Sequence, residues 1–420
     1  MASSLNLLSS TSRVEVPFIK VQIGDYTFGF YERAKGASGI DEFGKYKESI
    51  LKFPNYIKSL DVVKINGQVN KYTLKIDYTI RETDDPNFFE KVFGSVSDSR
   101  KIVFSYGDLS LPFYTYKDEE AIITDIKSDV TIASSKITYT VFAISSGELL
   151  NYGKHPYIPA EYEKPSVVIK RMLSSNEWGL LEVFYGMKNG TSLNGTELIP
   201  GNDLKVQLDA KTNISALEYL KYLVSMMTPE DSSETLKGSV YVLVIDDDVS
   251  GQLNGPYFKV IQVNKNIEVS DAYVIDIGYK SKDIVMSFNI DNDESYSIFY
   301  NYANKLNDEK FIYRLDARGE LNKVYAPIIS SGNADYETSE SDKTWWSKVT
   351  AFPIKASIKL KGLLRPAILM SHVRLNVYFY GRKHISSGLY IVTKEQDTID
   401  ETGFRTTLNL LRISADTQAL

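Results

Sequence analysis

A pattern that occurs twice constrains this chain more than anything else in it. Between Phe352 and Ser414, four apolar-patterned runs (Phe352–Leu360, Ser371–Gly381, Gly388–Ile399 and Gly403–Ser414) are separated by turn residues. Leu375, Val377 and Phe379 fall on alternate positions, which the two-residue period of a strand sends to one face. Gly381-Arg382-Lys383, Ser386-Ser387-Gly388 and Asp397–Gly403 supply the reversals. Consecutive strands with short reversals make an antiparallel meander, and with no Pro inside the last two runs the meander is free to curl into a small barrel. Near the other end, Lys101–Gly107 lies against Leu375–Gly381 at an offset of 381 minus 107, or 274. Ile122-Ile123-Thr124 with Asp129 lies against Ile391-Val392-Thr393 with Asp397, and Ile137–Ile144 against Phe404–Leu411. Any two meanders share some pattern. Matched order together with a matched glycine favours a duplicated β module at each end of the chain, with a different middle between them.

At 420 residues the chain is long for one core and fits roughly two to four domains. An apolar content of 43% and a charged content of 24% describe an ordinary globular protein, not a disordered one. A net charge of −6 argues against a dedicated nucleic-acid binder, which carries a basic stripe. No run approaches the roughly 18 to 20 apolar residues that span a bilayer, so no membrane anchor is expected. The start, Met1-Ala2-Ser3-Ser4-Leu5-Asn6, lacks the basic and apolar regions of a signal peptide. The absence of cysteine removes disulfides, thiolate nucleophiles and Cys-based zinc sites together. Tyrosine, at 29 residues against 19 phenylalanines, suits half-buried sheet faces and interfaces, where ring and hydroxyl are both satisfied.

Along the chain, Phe18–Gln22 and Tyr26–Tyr31 predict a hairpin about Ile23-Gly24-Asp25, and Ile57–Ile65 and Asn70–Ile80 a second about Asn66-Gly67. A short helix is expected around Phe88–Phe93, then strands over Lys101–Gly107, Ala121–Ile132 and Ser134–Ser146. Ser146–Glu163, with Gly153, Pro156 and Pro159, reads as a linker. Lys164-Pro165-Ser166 opens a short helix with Val168, Ile169 and Met172 on one face. Ser215 and Glu218 have capping-box spacing ahead of Leu220, Leu223, Val224 and Met227, so a helix is expected over about 215–228. Strands follow over Val240–Ile245, Tyr257–Val263, Ala272–Tyr279 and Asp283–Ile290. The period over Asp293–Leu306 fits both a helix (Tyr296, Phe299, Tyr300, Ala303) and a strand (Tyr296, Ile298, Tyr300, Tyr302), and does not choose between them. Thr344–Thr350 is expected to form a short helix carrying Trp345 and Trp346. The fold class is mainly β with minor α: a first β-barrel module over 1–150, a linker and α/β middle domain over 151–240, a β-rich middle domain over 241–335, and a second β-barrel module over 336–420.

Catalytic patterns are absent. The three histidines, His155, His372 and His384, have no metal-ligand spacing such as HExxH and no Cys partner, and there is no GxSxG elbow, P-loop or dinucleotide fingerprint. Asp246-Asp247-Asp248 and Asp291-Asn292-Asp293-Glu294 are acidic clusters to weigh for calcium. The second, counted as an EF-hand loop, lacks the required Gly and terminal Glu, so solvated turns and a helix cap explain both better. Paired carboxylates for glycoside hydrolysis are defined by spatial separation, and 54 acidic residues guarantee accidental pairs. Trp345-Trp346 has the make-up of a sugar platform, although such a pair more often anchors a helix on a core or an interface. No catalytic, cofactor or metal-binding residue is therefore expected. A carbohydrate-binding or carbohydrate-degrading protein stays as the alternative.

Gly388-Leu389-Tyr390-Ile391-Val392 followed by Thr402-Gly403-Phe404-Arg405-Thr406-Thr407-Leu408-Asn409-Leu410-Leu411-Arg412 resembles the closing hairpin of central hub proteins of phage-tail baseplates, the group of late-control-protein-D-like proteins and related contractile injection machines. The order of parts is similar too, with a β module, a middle with short helices, and a second β module. The resemblance implies a homotrimer in which two related barrels per chain make a pseudo-sixfold ring, an adaptor between a sixfold tail tube and a threefold spike. It implies tube protein above, central spike protein below, baseplate wedge proteins around, DNA passing without specific binding, and a place in the virion tail after assembly in the host cytoplasm. It implies no enzyme. Tyr106, Tyr378, Tyr380, Trp345 and Trp346 are the candidate subunit contacts.

Overall fold

The computed structural model describes residues 17–31, 56–94, 100–108, 118–151, 154–160, 162–174, 199–230, 240–247, 257–263, 273–278, 285–292, 310–315, 321–326, 354–361 and 369–415. The first part of the chain forms β1 (Pro17–Ile23), β2 (Tyr26–Tyr31), β3 (Ile57–Ile65), β4 (Lys71–Thr79), helix α1 (Phe88–Gly94), β5 (Lys101–Asp108), β6 (Asp118–Thr131) and β7 (Lys136–Ser145). The middle forms β8 (His155–Tyr157), β9 (Tyr162–Glu163), α2 (Pro165–Ser174), β10 (Val206–Gln207), β11 (Lys211–Ile214), α3 (Ala216–Met226), β12 (Val240–Asp246) and β13 (Tyr257–Val263). The last part forms β14 (Tyr273–Ile277), β15 (Val285–Asn292), β16 (Lys310–Leu315), β17 (Leu321–Ala326), β18 (Ile354–Lys361), β19 (His372–Phe379), β20 (Arg382–Lys383), β21 (Gly388–Asp400) and β22 (Gly403–Ala415). The chain is mainly β with minor α.

Local chemistry accounts for these elements. Gly67, at φ 68°, makes the turn between β3 and β4, and alternate β4 residues Tyr72, Leu74, Ile76 and Tyr78 are buried. α1 is short and is held by rings, not by propensity. The Phe89 ring lies 5.4 Å from Phe28 and Tyr56, 5.3 Å from Tyr78 and 5.2 Å from Tyr139. α3 starts on the expected capping box. The Ser215 hydroxyl accepts the Glu218 N–H at 3.2 Å, and the Glu218 carboxylate accepts the Ser215 N–H at 3.1 Å.

The two ends share one strand order. The first unit runs β3-β4-β7-β6-β5-β1, with β2 beyond, and the last runs β15-β18-β22-β21-β19-β14. In both, the strands follow one another along the chain in the same sequence. Register fixes the match to the residue. β6 steps over Thr124 against β7, as β21 steps over Thr393 against β22. Each bulged threonine donates its hydroxyl at 3.2 Å to the partner strand, Thr124 to the Phe142 carbonyl and Thr393 to the Asn409 carbonyl. A second bulge recurs at Lys58 in β3 and Met286 in β15. One pairing differs, because β1 runs antiparallel to β5 whereas β14 runs parallel to β19.

This register corrects part of the sequence alignment. Ile122–Thr124 does match Ile391–Thr393, and Ile137–Ile144 matches Phe404–Leu411. But Lys101 faces Ile122 as His372 faces Ile391, so β5 maps onto β19 at 372 minus 101, or 271, and not at 274. The glycine match dissolves with it, since Gly107 falls on Tyr378, and Asp129 falls on Thr398, not on Asp397. Two further expectations change. Among the described residues neither unit closes into a barrel: the outer edge of β3, which closure would need, is occupied by β21. The terminal unit also begins before residue 336, because β14 and β15 belong to its sheet. A boundary at residue 240 would cut β12, which shares one core with α3.

Candidate functional site

The place where the three parts of the chain meet is the candidate site. β21 is longer than β19. Residues Gly388–Ile391 pair with β19, and on the same edge Lys394–Asp400 pair with β3, from Ile65 to Ser59. Asn66 donates its N–H to the Thr393 carbonyl at 3.1 Å, and the Thr398 hydroxyl donates to the Asp61 carboxylate at 2.7 Å. The turn after β3 also holds the middle region, through the Gly67 N–H on the Leu243 carbonyl at 2.7 Å. Ile399 and Phe404 complete the core of the first unit, so the terminal hairpin is built into it.

Beneath this seam lies a buried polar cluster. In β3 the inward positions run Leu60, Val62, Lys64, so the strand period that buries two aliphatic side chains buries an ammonium next to them. Lys64 is 3% exposed and pairs with Glu119 of β6, itself 1% exposed. The other Glu119 oxygen lies 2.9 Å from the Tyr72 hydroxyl and 3.3 Å from that of Tyr106. Tyr72 also reaches Asp247, just past β12, at 2.9 Å, and Asp247 accepts from Asn70 at 2.8 Å and from the Ser145 hydroxyl. From the terminal unit, β21 contributes Glu395 and Asp397, and Asp397 accepts from Thr406 at 2.5 Å.

One cation among four buried carboxyls leaves an excess of negative charge that a low-dielectric interior does not sustain. Burial pushes Asp247 up to about 7, against hydrogen bonds from Ser145, Asn70 and Tyr72 that favour the carboxylate. Burial raises Asp397 to about 6, opposed by the Thr406 hydroxyl, and holds Glu395 well above the carboxylate range with help from the Asp397 charge. Burial alone would lower Lys64, but the charges of Glu119 and Glu395 outweigh it and hold the ammonium above its ordinary value. Tyr72 has one proton to share between Glu119 and Asp247. A proton on Asp247 removes the conflict and agrees with its raised pKa. The cluster is therefore a joint: β3, β4 and β6 of the first unit, the end of β12, and β21 and β22 all place a polar group in it.

The residues singled out in the sequence are dispersed. Tyr106 is fully buried in the first core. Tyr378 is half-buried on β19, whereas Tyr380 is fully exposed at φ 50° in the turn to β20. Trp345 and Trp346 lie outside the described residues, as does the segment 293–306 whose period fitted helix and strand alike. Asp247 corrects the expectation of a solvated acidic turn, since it is 1% exposed and central to the joint. His384 bonds to Ser386 at 2.7 Å, and among the described residues no group of acidic or histidine side chains is placed to hold a metal ion. Lys64, Glu119, Glu395 and Asp397 were missed by sequence reasoning. Their signal was a charge on the apolar phase of a strand, as in Glu395-Asp397-Ile399.

No protein-family model matches the chain, and no curated protein matches it in sequence. Its fold is similar to that of a tail protein from Neisseria meningitidis MC58, at a TM-score of 0.50 and 8% identity over 94% of this chain and 96% of the other. It is equally similar to the 43 kDa tail protein of prophage MuSo2 from Shewanella oneidensis, at a TM-score of 0.50 and 9% identity over 95% of this chain and 100% of the other. At these identities the likeness is one of fold.

Proposed function

We propose that this chain is a structural phage-tail protein of the baseplate, working as a central hub. Three copies form a ring of six near-equivalent β units that joins a sixfold tail tube to a threefold spike, with wedge proteins around it. The observation that carries this is the repeated strand order, β3-β4-β7-β6-β5-β1 and β15-β18-β22-β21-β19-β14, with bulges at matched residues. A chain with two copies of one fold presents two similar faces, so a closed set of three presents six. The fold shared with two tail proteins, one of them from a prophage, over nearly the whole chain supports the same role. Placement in the virion tail, assembly in the host cytoplasm and the absence of enzymatic activity belong to this proposal. The net charge of −6 suits a passage through which DNA moves without sticking. Size-exclusion chromatography with light scattering, together with projection images, tests the trimer. A mass of three chains and a ring with sixfold-like views is expected, and a monomer at tens of micromolar that forms no ring would refute it.

A further inference from the structure

The duplication shows where each unit's edges are used and where one is left vacant. In the last unit the half of β21 beyond β19, Lys394–Asp400, carries β3. Its counterpart in the first unit, at 269 residues' offset from the matched bulges, is Asp125–Thr131 of β6. That half pairs with β7 on one edge, and among the described residues no strand lies on the other, because β5 covers only Asp118–Ile122. The counterpart of β3 is β15: Leu60 faces Leu74 as Phe288 faces Ile358. β15 pairs with β18 on one edge and, among the described residues, with no strand on the other. The two halves of one more junction are thus present in each chain, at separate places in its sheet.

We propose that β15 of one protomer adds to the free edge of β6 in the next, antiparallel, as β3 adds to β21 within the chain. This rests on the trimer proposed above and names the seam that closes it. The intrachain register carries over. Thr398 opposite Asp61 becomes Asp129 opposite Asn289, Asp397 opposite Val62 becomes Ser128 opposite Ile290, and Ile399 opposite Leu60 becomes Val130 opposite Phe288.

The side chains fit that register. Leu60 and Val62 are buried under the intrachain seam at 0% and 1% exposure. Within the segments this register pairs, their counterparts Phe288 and Ile290 and the facing Ile126 and Val130 of β6 are the apolar residues, and all four fall on the inward side. Val130 is 64% exposed and Ile290 38% in the single chain. The charges fall on the outward side, where Lys127 comes opposite Asp291. Edges that must stay unpaired carry prolines or inward-pointing charges. Neither vacant edge has them, and backbone pairing along an open edge is a general mode of association. The occupant is a second copy because the strand of matching register and face belongs to this chain, with six strands between it and β6 in the sheet order.

The chain has no cysteine, so one introduced pair reports without background. Asp129→Cys with Asn289→Cys places thiols at the pair whose intrachain counterparts touch at 2.7 Å. Asp129→Cys with Ser287→Cys is the off-register control. Mild oxidation of the full-length protein should link three chains on a denaturing gel for the first pair and not for the control. Val130→Lys with Ile290→Lys should convert the trimer to monomer with an unchanged far-ultraviolet circular dichroism spectrum, both residues being exposed in the single chain. A trimer by light scattering that fails to link, or links equally in the control, overturns the β6–β15 seam and leaves the ring standing. A link within one chain likewise overturns the seam alone, and a monomer by light scattering overturns both.

Discussion

Asp247→Asn tests the joint with an effect of unusual sign. Asp247 is closed off from water, and its carboxyl is pushed from 3.8 to about 7 by burial. Between those two values the folded chain holds a proton that the unfolded chain has released. Stability therefore falls as pH rises through this window, and the loss is complete above it. Three units at about 1.36 kcal/mol each give a fall of about 4 kcal/mol. Asp397, raised to about 6, adds a fall of the same sign. Asparagine removes the charge, keeps a carbonyl that accepts from Asn70 and turns its amide toward the Ser145 hydroxyl, leaving the Tyr72 proton to Glu119. Urea unfolding, followed by intrinsic fluorescence from about pH 4.5 to about pH 8, should show wild type and variant within about 1 kcal/mol at the acid end. At the alkaline end the variant should be more stable by about 2–4 kcal/mol. A variant destabilised by the same margin at both ends would show that Asp247 is ionised and fully paired in the native chain, and the account of the joint would be wrong.

Other substitutions probe separate links. Gly278 has φ 92°, and a Cβ there would meet the Tyr378 carbonyl oxygen at 2.2 Å. Gly278→Ala should therefore break the β14–β19 pairing and raise hydrogen exchange over Tyr273–Ile277, while α3 keeps its protection. Ser215→Ala removes the capping box of α3 and should cost about 1 kcal/mol in thermal or urea unfolding, recovered by Ser215→Asp. Phe89→Ala empties the centre of the aromatic cluster and should cost about 3–5 kcal/mol, with loss of near-ultraviolet circular dichroism.

What the sequence made legible was local or repeated. Asn66-Gly67, the Ser215–Glu218 spacing and the alternation in Leu375 and Val377 carry their own structural instruction and appear where expected, whereas Phe379, at the end of β19, is exposed. The duplication was visible in β6, β7, β21 and β22, but β5 was displaced by three residues, because a glycine was used as the anchor. Gly107 and Gly381 answer to different local needs, whereas the bulged threonines share one hydrogen bond to the facing strand. The joint was not legible. Asp247 sits in a run of three aspartates that reads as solvated, and its burial depends on Asn70, Tyr72 and Ser145, residues 102 to 177 positions away in the chain. Glu119 and Lys64 likewise meet across 55 positions. Pairing of β3 with β21 joins segments more than 300 positions apart, and no local propensity encodes it.

The intrachain seam and the proposed seam between chains differ in chemistry at matched positions, and tethering accounts for the difference. Within the chain, Lys64 and Glu395 face each other across β3 and β21, with Asp397 one inward step along. Between chains, the same places hold Asn292, Ile126 and Ser128. A tethered strand meets its partner at high effective concentration, so the intrachain seam tolerates desolvated charge that contributes little net affinity. A seam between separate molecules has no such help, and its free energy must come from apolar burial, which Phe288, Ile290, Ile126 and Val130 supply. The asymmetry also sorts the strands. Were β3 to dock on β6 of a neighbour, the ammonium of Lys64 would face Ile126 with no carboxylate on that strand's inward side. Were β15 to dock on β21, Glu395 and Asp397 would lose their cation. Each mispairing buries an unmatched charge, a penalty of several kcal/mol, so two copies of one fold in one chain select different partners.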